Sequence, residues 1–218
     1  MRAQMHSDLL PQIERFVAVT LKGNRDPAHD LSHIHRVVAS ATVLAREEKA
    51  EASVVLPAAW LHDIVVLPKS APDRASASRM AAETATEFLH SIEYPKELIG
   101  SIAHAITVHS FSAGIEPETI EAKVLQDADR LDALGAIGIA RMFATAGVMG
   151  SALLSPNDPF AEKRPLDDRR YAVDHFEVKL MRLASSMRTD AGKREADRRT
   201  EFMRAYMRQL RLEMTPRK

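Results

Sequence analysis

Along the 218 residues the apolar side chains recur every three to four positions and nowhere alternate one for one. That periodicity constrains the fold more than any other feature, because apolar residues at i, i+3, i+4 and i+7 line one face of a helix, whereas a half-buried strand needs strict alternation. It predicts helices over 8–22, 31–49, 52–63, 75–90, 96–109 and 117–134, shorter ones over 137–146 and 170–183, and a long one over 190–212. Breakers fall between them, at Gly23 to Pro27, Pro68 to Asp73, Ser112 to Pro117 and, as the longest irregular stretch, Ser155 to Pro165. Alanine, leucine, arginine, glutamate and methionine dominate while aromatics make up only 5%, a helix-forming composition. With no internal repeat or low-complexity linker, the expectation is one all-α domain over 1–218, a compact multi-helix bundle with its core at about 30–146 and a C-terminal helical extension at about 165–214.

Thirty basic and thirty acidic residues cancel to zero net charge, which argues against a broad basic face for a nucleic acid polymer or a membrane surface. No segment approaches the ~20 apolar residues that span a bilayer, and the N-terminus lacks the apolar run of a secretory signal, so a cytoplasmic protein is expected. The chain has no cysteine, which removes disulfides, thiolate zinc sites and cysteine nucleophiles. Any metal must therefore be held by nitrogen and oxygen, and the nine histidines become the residues of interest.

The most informative pair is His62-Asp63, at the end of an apolar helix where both side chains face burial. An unpaired buried carboxylate costs several kcal/mol, so something must compensate Asp63. Taken alone, the pair reads as a salt-bridged or capping aspartate beside a hydrogen-bonded histidine. Two other segments change that reading. In Asp30-Leu31-Ser32-His33-Ile34-His35, Asp30 serves as N-cap, His33 falls at the edge of the apolar face with Val37 and Leu44, and His35 points away. In Gln126-Asp127-Ala128-Asp129-Arg130-Leu131-Asp132, three carboxylates sit in an otherwise apolar helix; the wheel puts Asp127 with Ile120, Leu131 and Leu134, and Asp129 nearer Leu125 and Asp132.

A histidine, a distant His-Asp pair and a more distant aspartate resemble the pattern of the HD-domain superfamily of metal-dependent phosphohydrolases. The matching residues are His33, His62, Asp63 and Asp129. Stretches such as Leu67-Pro68-Lys69-Ser70, His109-Ser110-Phe111-Ser112, Gly135-Ala136-Ile137-Gly138 and Asp174-His175-Phe176 extend the resemblance to a bacterial HD-domain hydrolase subgroup, over roughly 30–213. The resemblance implies an all-α fold and one divalent metal ion, Mn, Fe, Co, Ni, Zn or Mg, with room for a second. The helical wheel leaves Asp127 and Asp129 both open as the fourth ligand; the family's Ala-Asp-x-Leu pattern falls on Asp129.

Phosphate esters also demand cationic donors beside the metal. Lys69, in a proline-bounded loop after the His-Asp helix, is the candidate substrate-binding residue. The stripe Ile99, Ile102, Ile106 leads on to His109, a candidate phosphate donor, general acid or ligand of a second ion. Asp132, three residues after Asp129, is placed to orient a ligand, to accept the proton of the attacking water, or to pair with Lys69 or an arginine. The expected activity is metal-dependent phosphohydrolysis of a small nucleotide, foremost a nucleoside triphosphate with release of pyrophosphate or phosphate. A phosphomonoesterase, a cyclic-nucleotide phosphodiesterase and a non-catalytic metal- or nucleotide-sensing module are the alternatives. The long last helix offers a face for packing on the domain or for a homodimer.

Overall fold

The computed structural model describes residues 2–24, 30–67, 76–110 and 114–214, with side chains from residue 9 onward. The elements in order are α1 (Arg2–Thr20), α2 (Leu31–Glu48), α3 (Ala52–Leu61), α4 (Ala77–Ser91), α5 (Lys96–His109), α6 (Ile120–Leu131), α7 (Gly135–Met149), a π-helical turn Phe176–Leu180 that runs into α8 (Met181–Leu183), a 3-10 turn Ala184–Ser186, and α9 (Asp190–Met214). The expected all-α fold is what the chain adopts; the one β feature among the described residues is a single bridge between Ala152 and Tyr171. No single helix among them is long and apolar enough to cross a membrane.

The chain forms two compact units. The first takes the described residues up to Asp129 together with Arg188–Ala191; the second takes Arg130–Met187 and the described residues from Gly192 on.

In the first unit α3 is the central helix, packed against α1, α2 and α5. Its sequence explains why: Val54, Val55, Ala58, Ala59, Trp60 and Leu61 are all buried, so the helix is apolar all round, and such a helix is stable only when surrounded. Each fully buried Val or Leu contributes about 1.5–3 kcal/mol over leaving it exposed. The neighbours supply matching stripes, Ile13 and Val17 from α1, Ile34, Val37, Ala41 and Leu44 from α2, Ile99, Ile102 and Ile106 from α5. Phe16 of α1 stacks on Phe88 of α4 at 3.9 Å between ring centroids.

A proline interrupts this central helix. Pro57 has no N–H, so the carbonyl of Ser53, four residues back, loses its helical partner. The hydroxyl of the buried Tyr94 donates to that carbonyl at 2.7 Å and restores the missing bond. Burial, with the Glu51 carboxylate nearby, pushes the Tyr94 phenol up to about 12, so it stays protonated and able to donate.

Helix ends follow local chemistry. Asp30 caps α2 as its sequence suggests, its carboxylate accepting from the His33 N–H at 2.8 Å. Thr119, not Pro117, opens α6, its hydroxyl accepting from the Ala122 N–H at 3.2 Å. α3 stops at Leu61, with His62 as its C-cap and Asp63 already in the following turn.

In the second unit the first turn of α7 needs glycine twice. Gly135 has φ +71°, and a Cβ on Gly138 would lie 2.2 Å from the Ala133 carbonyl oxygen. The guanidinium of Arg199 on α9 donates to the Leu131 carbonyl at 2.7 Å, closing the C-terminal end of α6. The helix expected over 170–183 starts later. Tyr171 is drawn into the bridge with Ala152, and helical turns begin only at Asp174. Asp174 is itself buried and held by Arg164 through two bonds of 2.5 and 2.8 Å and by the Asp167 N–H at 2.7 Å. The irregular stretch expected over 155–165 is organised by the Asp158 carboxylate, which accepts from the N–H groups of Glu162, Lys163 and Arg164.

Candidate metal centre

Four side chains from three helices and a turn converge within the first unit. His33 comes from the first turn of α2, His62 from the end of α3, Asp63 from the next residue, and Asp129 from the last turn of α6. The Nε2 atoms of His33 and His62 face each other at 3.3 Å. Asp63 Oδ2 lies 3.6 Å from His33 Nε2 and 3.7 Å from His62 Nε2; Asp129 Oδ1 lies 3.5 and 4.0 Å from the same two atoms. Ligands held at about 2.1 Å around one ion are roughly 3.0 Å apart at adjacent octahedral positions and 3.4 Å apart in a tetrahedron. The observed spacings are those of donors arranged around one small cation, opened by a few tenths of an ångström.

The donor chemistry fits as well. His62 donates from Nδ1 to the Ala59 carbonyl at 2.8 Å, which leaves the lone pair on Nε2 and aims it at the centre. Both imidazoles are fully buried, whereas the side chains of Asp63 and Asp129 keep 21% and 29% exposure, so the carboxylates form the rim open to a substrate. Burial lowers the His62 pKa to about 4, against the pull of the neighbouring Asp63, so the ring is neutral and able to ligate at ordinary pH. Burial alone would raise the Asp63 carboxyl, but the adjacent His62 and hydrogen bonds from His109 and His33 hold it well below the usual carboxylate range.

His109, at the last position of α5, reaches the same place: its Nε2 is 3.5 Å from Asp63 Oδ1 and its Nδ1 donates to the Ile106 carbonyl at 2.6 Å. Burial pushes its pKa down, but the hydrogen bond to Asp63, the charges of Asp63 and Asp129 and the bond to the Ile106 carbonyl together outweigh it, and the net shift is upward. His62, Asp63 and His109 form a second triad with metal-ligand spacing, alongside His33, His62 and Asp129. His62 has only one lone pair to offer, because its Nδ1 is engaged with Ala59, so the two triads describe one centre with His109 at its side.

The wheel left Asp127 and Asp129 open as the fourth donor, and the structure gives them separate tasks. Asp127 is fully buried and turned away: its carboxylate accepts from the Arg188 N–H at 2.9 and 3.1 Å, the Thr189 N–H at 2.8 Å and the Thr189 hydroxyl at 2.7 Å. It fastens the start of α9 to α6, while Asp129 alone of the two joins the donor set. Gln126, also buried, donates from its amide to the Val108 carbonyl at 3.0 Å, next to His109, and accepts from Arg188 Nε at 3.3 Å. Sequence periodicity places Asp127 on the buried side of its helix, yet nothing in it marks Arg188 and Thr189, some 60 residues on, as the partners.

Asp132 belongs to the second unit, where it is buried and paired with Arg141 Nη1 at 2.6 Å, one of the pairings its sequence position allows. Lys69 lies outside the described residues, as do Asp73 and Arg74. His35 is exposed, as its place on the wheel requires, and meets Trp60 edge-on at 5.0 Å.

This helical unit and donor set belong to a known class. A model of the HD domain matches residues 30–134, a span that contains all four donors. The chain belongs to the HD domain family. It is similar to YpgQ of Bacillus subtilis, 36% identical over 186 residues that cover 84% of this chain and 82% of the relative. The crystal structure of YpgQ in complex with ADP superposes with a TM-score of 0.74 at 35% identity, covering 94% of this chain and 97% of that one. An HD-superfamily hydrolase of Bacillus thuringiensis gives a TM-score of 0.75 at 31% identity, with 95% and 97% coverage.

Proposed function

We propose that this chain is a metal-dependent phosphohydrolase of small nucleotides, acting foremost on nucleoside triphosphates with release of pyrophosphate or phosphate. The observation that carries the reading is the convergence of His33, His62, Asp63 and Asp129 on one cation-sized space. A divalent ion held there would lower the pKa of a coordinated water and polarise a phosphate oxygen. The nucleotide is supported by the ADP complex of the similar YpgQ.

The chain's own residues supply the rest. His109 is the acid–base group beside the ligands: its Nδ1 is committed to Ile106, so Nε2 is the nitrogen that holds or gives the proton, and the upward shift of its pKa favours the protonated ring. Asp132, fixed by Arg141, is the second acid–base group. Lys69, six residues after Asp63 in sequence, is the phosphate-binding cation.

The test is hydrolysis of triphosphates, monophosphates and cyclic nucleotides by the Mn²⁺-loaded protein, with products resolved by chromatography. Pyrophosphate or phosphate should appear from triphosphates and vanish in His62→Ala. Equal background turnover by the two proteins on every substrate would end the enzyme reading, and nucleotide binding without turnover would favour a sensor.

A further inference from the structure

The four metal ligands carry two formal negative charges, from Asp63 and Asp129, which one divalent ion only cancels. A triphosphate adds several more, and in a site with buried walls they require fixed cations close by. One arginine is anchored on the helix that carries Asp129. Arg188 is anchored through its backbone N–H on the buried Asp127 and through Nε on the buried Gln126, which in turn holds the Val108 carbonyl next to His109. Gln126 lies three residues before Asp129 on α6, so the anchor is one helical turn from a metal ligand on one side and one residue from His109 on the other.

The rest of the guanidinium faces outward. Its Nη2 meets Glu116 Oε2 at 2.7 Å, with 37% of the Arg188 side chain and 72% of Glu116 exposed. Such an exposed pair contributes little by itself and exchanges readily. The geometry is that of a fork with one edge held by the buried Gln126 and the other by an exposed carboxylate, which is the kind of partner a phosphate oxygen can replace.

We infer that Arg188 is a substrate-binding residue that reads the phosphate chain of the nucleotide, with Glu116 occupying its outer edge until the substrate displaces it. The inference rests on the proposed phosphohydrolase reading for its substrate class. It makes Arg188 a determinant of chain length: a triphosphate has oxygens to spare for the fork after the metal is satisfied, and a monophosphate does not.

The experiment compares the full-length wild type with Arg188→Ala, Arg188→Lys and Glu116→Gln, each loaded with Mn²⁺. Calorimetric titration uses a triphosphate analogue with methylene groups in place of the bridging oxygens, with AMP in parallel. Losing a hydrogen-bonded charge predicts at least about tenfold weaker binding of the analogue by Arg188→Ala. AMP binding should change by less than about twofold, Arg188→Lys should recover part of the loss, and Glu116→Gln should bind the analogue more tightly. Arg188→Ala keeps the backbone N–H on Asp127 but takes the Nε donor from the buried Gln126, so its melting temperature should fall by only a few degrees while bound Mn²⁺ matches wild type. Equal binding of the analogue by wild type and Arg188→Ala, or an equal loss for the analogue and AMP, overturns the inference. Turnover measured in parallel separates the two readings: a wild type that binds the analogue through Arg188 but hydrolyses nothing refutes the phosphohydrolase alone.

Discussion

Asp127 and Asp129, two residues apart on one helix, are expected to respond to truncation in opposite ways. Replacing Asp127 by alanine removes the acceptor of three donors, the N–H groups of Arg188 and Thr189 and the Thr189 hydroxyl. A buried donor left without a partner costs about 1–3 kcal/mol, and breaking a buried charged network typically costs about 3–5 kcal/mol. Taken against a total stability of roughly 5–15 kcal/mol, that is a large fraction. At about 2–4 °C per kcal/mol for a chain of this size, the melting temperature should fall by roughly 6–20 °C. Asp129→Ala removes a side chain that is 29% exposed and whose Oδ1 faces the metal-facing nitrogens of His33 and His62 at 3.5 and 4.0 Å. It should leave the melting temperature in EDTA nearly unchanged while weakening Mn²⁺ by more than about 100-fold, since loss of an outer-shell partner alone costs 10–100-fold. Calorimetric melts in EDTA and Mn²⁺ titrations of the two variants provide both readouts. The reverse pattern, with Asp127→Ala stable and metal-free and Asp129→Ala unfolded but metal-binding, would refute the division of labour.

Three further outcomes follow from the geometry. In the metal-free protein His62, lowered from 6.5 to about 4, takes up its proton later than the unfolded chain, so stability drops by about 3 kcal/mol as pH falls from 6.5 to 4. His109, shifted upward, contributes stability that is present below 6.5 and lost as pH rises through its folded value, while the depressed Asp63 matters only below 3.8. Urea unfolding in EDTA should therefore show a maximum near pH 6.5, and a steady rise from pH 4.5 to 8.5 would contradict these assignments. Asp132→Asn should lower kcat by about 100-fold or more with little change in KM if its carboxylate takes part in proton transfer; an unchanged kcat with a lower melting temperature would reduce it to the structural partner of Arg141. Tyr94→Phe should destabilise the protein by about 1 kcal/mol or more, because the part-buried Ser53 carbonyl then loses this donor, and a melting temperature equal to wild type would show that water replaces the hydroxyl.

Three of the expected donors stand in the sequence where an ordinary side chain would not, and the fourth, Asp129, is picked out by the resemblance to the HD pattern. His62-Asp63 closes an apolar helix, His33 sits at the edge of an apolar face, and Asp129 interrupts an alanine- and leucine-rich run. Helix α5 was equally plain, since the stripe through Ile99, Ile102 and Ile106 carries directly to His109. Choosing between Asp127 and Asp129 was beyond periodicity, because both are buried or half-buried and the difference lies in what each meets across the fold. Arg188 and Gln126 were invisible for the same reason. In the last third, 170–173 have helix-forming character, but pairing of Tyr171 with Ala152 overrides it, and local propensity does not report such a contact.

Pro57 and Tyr94 illustrate a dependence that crosses the fold at a distance of 41 residues in sequence. The proline withdraws one rung from the helix that delivers His62, and the tyrosine supplies it from outside. The two are coupled through the Ser53 carbonyl. A lineage that reverts Pro57 to alanine regains the rung internally, and the Tyr94 hydroxyl becomes a buried donor in competition for an acceptor already taken. The two positions should therefore drift together among relatives, Pro with Tyr and a helix-former with Phe, so that the pairing can serve as a heritable marker of how α3 is built.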